Sequence, residues 1–288
     1  MRVLIPLHVT GFWYVVKSYH PLFTGSLGAG LTLDPPIIAE PWSSECKVVI
    51  NDECVEFPTV KLAHKLGGFS RHLTAYVKSK ASLGEGYGLS AALTLAYLAI
   101  NIFNNSKSTT WNKVASLAHI AEVLNETGYG DVIAEVYGGG LVIRTSAGPP
   151  GIGSIDVIPL SNSLRVITIP LGKLTTTDMF KRYRDRINEV GITIYRKFIE
   201  APSIESFAQL AYEFSVNVGM LDKELDELLR SKLLKYLSNG CVLGYFVKKK
   251  LLCIICEDSC VADVFNSLIK YFNSVKIFNI ARHGSLMM

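Results

Sequence analysis

The chain has no apolar run long enough to cross a membrane. Leu93–Ile100 stops at Asn101, and Met1–Gly11 carries Pro6, His8 and Gly11 where a signal peptide would carry its apolar segment. A cytoplasmic chain with no membrane partner is the expectation. A strong excess of charge is also missing. The formal net charge is +4 over 288 residues, and the basic runs Lys181-Arg182 and Lys248-Lys249-Lys250 are short. They read as solvated helix and hairpin surface, so no nucleic-acid partner is expected. The cysteines lack zinc spacing. Cys253 and Cys256 lie in the apolar run Leu251–Cys256, where strand alternation sends them to opposite faces, and no second Cys or His pair follows. All 6 cysteines read as reduced thiols, with a stabilising bridge of thermophile type as the alternative.

Common nucleotide signatures are absent too. There is no Gly-Lys-Ser/Thr of a phosphate-binding P-loop, no His-Arg-Asp or Asp-Phe-Gly of a protein kinase, and no dinucleotide fingerprint between a strand and a helix. What is present is an apolar content of 49%, enough for one large core or two smaller ones. In the first half, Val3–Ile5, Lys47–Ile50 and Leu141–Arg144 read as strands. Ser90–Phe103 and Trp111–Asn125 read as helices, the second capped by Thr109 or Thr110, and a further helix starts near Asp131. Gly25–Gly30, Gly128–Gly130, Gly138–Gly140 and Gly148–Gly153 read as turns or connections. The second half runs strand (Val166–Pro170), helices (Asp178–Phe198, Ile204–Val218, Lys223–Leu237), hairpin (Cys241–Phe246 and Leu251–Cys256), helix (Val261–Tyr271) and a last strand (Val275–Ile280). That order suits an antiparallel, ferredoxin-like sheet covered by helices. A boundary near Pro159–Ser163 divides the chain into 1–160 and 161–288.

The segment with the most chemistry is Gly84-Glu85-Gly86-Tyr87-Gly88-Leu89-Ser90-Ala91, a glycine cluster that runs into a helix. Its backbone can close around an anion, and the helix start supplies free N–H groups and the positive end of a dipole. The alternative is a flexible turn before a tightly packed helix. Glu122 on its helix and Asp131 after Gly128-Tyr129-Gly130 could meet at one site, as a metal-binding and an acceptor-binding carboxylate. Taken singly, Glu122 also reads as a solvated helix residue and Asp131 as a helix cap. Arg144, taken singly, reads as a surface strand arginine and His8 as a hydrogen-bonded structural histidine beside its strand. Arg71 and His72 read mainly as helix surface.

In combination these segments resemble the GHMP kinase superfamily (galactokinase, homoserine kinase, mevalonate kinase and phosphomevalonate kinase). Its phosphate motif, Pro-x-x-x-Gly-Leu-Gly-Ser-Ser-Ala, is matched by Ser82–Ala91, with Ser82 replacing the proline and Leu89 the first serine. Gly130-Asp131 and Gly138-Gly139 match its second acidic segment. The C-terminal glycine motif is degraded to Ser238–Gly244. Within the superfamily, His8–Phe12, Thr24–Gly30, Gly130–Ala134, Gly139–Thr145 and Pro150–Gly153 are similar to segments of the archaeal pantoate kinase family. The resemblance implies an α+β fold: a ribosomal-protein-S5-domain-2-like N-terminal domain followed by a ferredoxin-like C-terminal domain. It also implies ATP-dependent phosphorylation of the pantoate 4-hydroxyl in coenzyme A synthesis, with Mg²⁺ and frequently as a homodimer. Gly84, Gly86, Tyr87, Gly88, Leu89, Ser90 and Ala91 would then hold the triphosphate, Ser90 and Glu122 the metal, and Asp131 the acceptor hydroxyl. Arg144, Ser26, His8 and Thr10 would hold pantoate. Phosphorylation of homoserine, mevalonate or shikimate, and a non-catalytic nucleotide-binding regulator, are the competing readings.

Overall fold

A computed structural model describes residues 1–105 and 109–288. In chain order the elements are β1 (Val3–Val16), β2 (Gly25–Trp42), β3 (Val48–Ile50), β4 (Glu53–Val55), α1 (Pro58–Gly67), β5 (Thr74–Lys78), α2 (Leu89–Asn105), α3 (Trp111–Leu124), α4 (Asp131–Tyr137), β6 (Leu141–Ser146), β7 (Ser154–Ile158) and β8 (Leu164–Pro170). There follow α5 (Thr176–Glu200), α6 (Ile204–Val218), α7 (Lys223–Ser238), β9 (Val242–Lys248), β10 (Leu251–Glu257), α8 (Val261–Leu268), β11 (Lys276–Ile280) and β12 (Leu286–Met287). The class is α+β, as expected. In the second half the strand order β11-β8-β10-β9, antiparallel throughout, is the ferredoxin-like arrangement.

The two halves share one 12-stranded sheet. β11 lies between β2 and β8, and β12 returns to pair with β1. β2 is the organising strand. It pairs with β1 along most of its length, with β6 through Gly28–Leu31 and with β5 through Ile38–Trp42. Gly25–Gly30 reads as a connection because it is glycine-rich, yet it opens β2, which also carries Pro35-Pro36. Those residues serve packing here. A Cβ at Gly30 would overlap His8 Nε2, and the register of β1 slips between Ile5 and Leu7, opposite the prolines. α1, β4, β5, β7 and β12 lie in stretches for which the sequence predicts no element.

α2 is buried almost throughout, with Ala91, Ala92, Ala96 and Ala99 at 0% exposure. Small side chains let neighbouring elements approach its axis closely. Thr110, the second of the two anticipated caps, accepts from Lys113 N and starts α3. The expected turn at Gly138–Gly140 is fastened to β2, since Thr32 Oγ1 accepts from the N–H groups of Gly139 and Gly140 at 3.1 Å.

Two expectations are corrected. Not all thiols are free: Cys46 is bonded to Cys54 and Cys241 to Cys260, with Cα atoms 6.0 and 5.8 Å apart. The β3–β4 pairing and the adjacency of β9 to the end of β10 bring these pairs together, which spacing in the chain does not reveal. Cys253 and Cys256 remain free and buried in β10, as a strand reading requires. Arg71 and His72 lie in the connection between α1 and β5 rather than covering a helix, and the His72 ring sits edge-on to His64 and tilted against Tyr97.

Candidate active site

The glycine loop before α2 is held from both sides. Gly86 and Gly88 have φ 109° and 73°, a region that favours glycine. Across Gly88, the Ala91 N–H returns to Gly88 O at 2.9 Å while His8 N binds Tyr87 O at 3.0 Å. The C-terminal half supplies further anchors. The Tyr87 hydroxyl meets Thr168 Oγ1 of β8 at 2.7 Å, and Lys276 of β11 reaches Glu85 at 3.0 Å. The side chain of Tyr87 is therefore core. Ala91 also lies in the core, with its N–H taken up by the loop. Gly84, Gly86, Gly88, Leu89 and Ser90 border a chamber open to solvent, with Phe57, Pro58 and Leu83 among its apolar lining.

A smaller chamber, also open to solvent, adjoins it. Thr10, Ser26 and Arg144 form one wall, and Trp13, Met179 and Phe180 supply an apolar one. Thr127, Asp131, Thr176 and Lys249 border both spaces. Asp131 opens α4, yet the N-cap position is Gly130, so the carboxylate is free of capping duty. It turns instead to His8, whose Nδ1 lies 2.7 Å from Oδ1, and to Lys248, whose Nζ lies 3.5 Å away. A side chain at Gly130 would strike Ser26 Oγ at 2.5 Å and Arg144 Nε at 2.6 Å, which shows how tightly this wall is packed.

The charges are ordered by position. Burial would raise the Asp131 carboxyl, but Lys248, the His8 hydrogen bond and Arg144 outweigh it and hold the group well below the usual carboxylate range. Burial pushes His8 down to about 4 despite Asp131, so its ring is neutral near pH 7. Nδ1–H then donates to Asp131, and Nε2 faces Arg144 Nη1 at 3.5 Å. His8 lines neither chamber. It stands behind Asp131, hydrogen-bonded to its carboxylate. Arg144 is buried at 1% exposure, donates from Nε to Ser26 O at 3.2 Å, and is pushed by burial down to about 10, so it stays charged.

Glu122, far from solvated, is 1% exposed. Ser90 Oγ donates to its Oε1 at 2.6 Å, whereas Oε2 is buried without a partner among the described residues. Burial, reinforced by Asp131, raises Glu122 to about 7. Sequence reasoning missed Glu135, one turn beyond Asp131 on α4. Both its oxygens are buried without partners among the described residues, and burial with the charges of Asp131 and Glu122 raises it well above the usual range. It missed Lys248 and Lys249 as well. The hairpin lysines were read as solvated surface, but Lys248 is 4% exposed and both border the smaller chamber. By contrast, Lys181 and Arg182 are exposed on α5. The degraded segment Ser238–Gly244 borders neither chamber; Gly244 packs against Ala208 of α6.

Comparison with known proteins agrees with this geometry. Residues 54–139 match the N-terminal domain of the GHMP kinases. The chain is 32% identical over 227 residues to a pantoate kinase of Methanocaldococcus jannaschii, covering 76% of this chain and 81% of that one. It is 30% identical over 265 residues to a pantoate kinase of Thermococcus kodakarensis, covering 85% of each. A solved phosphotransferase related to the coenzyme A biosynthesis pathway superposes with a TM-score of 0.80 at 27% identity, covering 99% of this chain and 97% of its own. With its glycine loop, its paired chambers and these relatives, the chain belongs to the pantoate kinase family of the GHMP kinases.

Proposed function

We propose that the protein transfers the γ-phosphoryl group of ATP to the 4-hydroxyl of pantoate, giving 4-phosphopantoate and ADP. The observation that carries this reading is the meeting of two chambers at Asp131, one walled by the glycine loop and the other by a buried arginine. The larger chamber takes the nucleotide, its triphosphate against the loop N–H groups and the start of α2. The smaller suits a branched hydroxy acid. Arg144 pairs with the carboxylate, Ser26 and Thr10 bond the polar edge, and Trp13, Met179 and Phe180 receive the geminal methyl groups.

Asp131 accepts a hydrogen bond from the 4-hydroxyl and points its oxygen at the γ-phosphorus. As the new O–P bond forms, the bond from the γ-phosphorus to the bridging oxygen breaks and its electron pair leaves on ADP. The hydroxyl proton passes to Asp131. A carboxyl held so low is a weak base, so its main work is orientation, with proton transfer late along the path. His8 and Lys248 keep it ionised and aimed. Mg²⁺ fits the residues present, because Glu122 Oε2 is a buried oxygen, without a partner among the described residues, beside the Ser90 hydroxyl. Ser90 and Glu122 would hold the ion together with phosphate oxygens, and it would neutralise charge on the polyphosphate. A homodimer working in the cytoplasm belongs to the same reading.

The test is ADP release from Mg²⁺-ATP with pantoate, homoserine, mevalonate and shikimate as acceptors. Turnover with pantoate alone is expected. Turnover with another acceptor would replace the substrate assignment, and ATP binding without turnover would favour a regulator.

A further inference from the structure

The turn between β9 and β10 carries chemistry that its geometry does not call for. Lys248 pairs with Leu251, which leaves Lys249-Lys250 as a two-residue loop. Loops of this length with a residue at positive φ are ordinarily made from glycine, asparagine or aspartate. Lys249 nevertheless holds φ 59°, a backbone conformation disfavoured for a long side chain. Its ammonium is turned inward and donates to Thr176 Oγ1 at 2.6 Å. Thr176 in turn donates to Thr127 O at 2.6 Å, which ties the lysine to the segment joining Glu122 to Asp131. Lys248 takes up the Asp131 carboxylate, whereas Lys249 forms no ion pair among the described residues. It borders both chambers.

The hairpin tip also lies directly on the phosphate loop. A Cβ at Gly86 would sit 3.1 Å from Leu251 Cβ and 3.2 Å from Lys248 O. A cation delivered from the C-terminal half thus borders both spaces beside Asp131. Resting on the kinase reading above, we propose that Lys249 is a catalytic residue whose ammonium binds the non-bridging oxygens of the transferred phosphoryl group throughout its passage from the nucleotide to the acceptor. During transfer the acceptor oxygen bonds to the γ-phosphorus, the bridging bond breaks onto ADP, and the acceptor proton goes to Asp131. Charge then spreads over the equatorial oxygens, and a cation already in place stabilises it without reorganisation.

The experiment compares wild type with Lys249→Gln, Lys249→Arg and, as a control outside the site, Lys250→Gln. It measures kcat and KM with whichever acceptor the wild type phosphorylates, and dissociation constants for ADP and a non-hydrolysable ATP analogue. Lys249→Gln is expected to lose turnover by roughly 10²–10³-fold with acceptor KM little changed. It should bind ADP as wild type does, bind the ATP analogue more weakly, and melt no lower than wild type. Lys249→Arg should recover part of the turnover, and Lys250→Gln should match wild type. Turnover of Lys249→Gln within about threefold of wild type, or equal weakening of ADP and the analogue, overturns the assignment. If wild type phosphorylates no acceptor, the kinase reading fails separately, and the two nucleotide affinities still decide whether Lys249 meets the γ-phosphate.

Discussion

Asp131 sits among more positive than negative neighbours, and this balance makes the clearest forecasts at the residue scale. Asp131→Asn keeps the shape of the side chain and removes its charge. Turnover should fall by roughly 10²–10⁴-fold while the dissociation constant for ATP stays near wild type. Unchanged turnover would take Asp131 out of the reaction. Arg144→Ala should raise the apparent KM for pantoate by roughly 10–100-fold, the worth of a charge-assisted pair of about 1.5–3 kcal/mol, with a smaller effect on ATP. Loss of ATP binding alone would move Arg144 to the nucleotide side. Lys249 adds a pH signature. Burial and the neighbouring Lys248 push it down to about 8 against the opposing pull of Asp131 and Glu122. Its charged form is present below about pH 8 and lost above it. The kcat/KM profile should therefore fall on the alkaline side near 8, and Lys249→Arg should remove that limb. Folding responds with the opposite sign. Between about 8 and the ordinary 10.5 the unfolded chain binds more protons than the folded one, so stability gains with rising pH. Lys249→Met should raise Tm at neutral pH, and the gain should shrink as pH climbs through this window.

At the scale of elements, the site depends on backbone approaches that only glycine permits. Gly130 has φ −163°, open to any residue, so the obstacle to a side chain there is contact with Ser26 and Arg144 rather than strain. Gly130→Ala should lower kcat/KM for pantoate while leaving the affinity for ATP nearly intact, because the displaced wall belongs to the smaller chamber. Equal loss for both ligands would show that the loop before α4 positions the nucleotide too. Gly30 works similarly from β2, clearing space for the ring of His8. The phosphate loop is a joint construction, since Glu85 and Tyr87 are gripped by β11 and β8 from the other half of the chain.

For the whole molecule, the continuous sheet means that the ends of the chain stabilise one another: β12 closes onto β1, and β11 is inserted between β2 and β8. The division at 160 and 161 therefore runs through a shared hydrogen-bonded surface. The bridges at Cys46–Cys54 and Cys241–Cys260 close loops of 8 and 19 residues, for which chain-entropy reasoning gives about 2–4 kcal/mol each. Cys241→Ser with Cys260→Ser should lower Tm by several degrees, and a reducing agent should do the same to wild type. An identical Tm with and without reductant would mean that these thiols stay reduced in solution.

Much of the site could be read from the chain because it is written locally. The glycine loop, the helix that follows it, and the Gly-Asp start of α4 are short continuous segments whose turn chemistry acts over a few residues. The ferredoxin-like order likewise followed from the succession of elements. Burial is not local. Nothing near Lys248 and Lys249 distinguishes them from a solvated hairpin until the tip is laid on Gly86. His8 became the support of Asp131 only when β1 met α4. The same long-range pairing turned a glycine-rich connection into the start of β2, joined the cysteines, and brought Trp13 to the chamber that Met179 and Phe180 also line. Residue type and spacing specify which groups are available. Which of them are stripped of water and held against one another depends on partners distant along the chain.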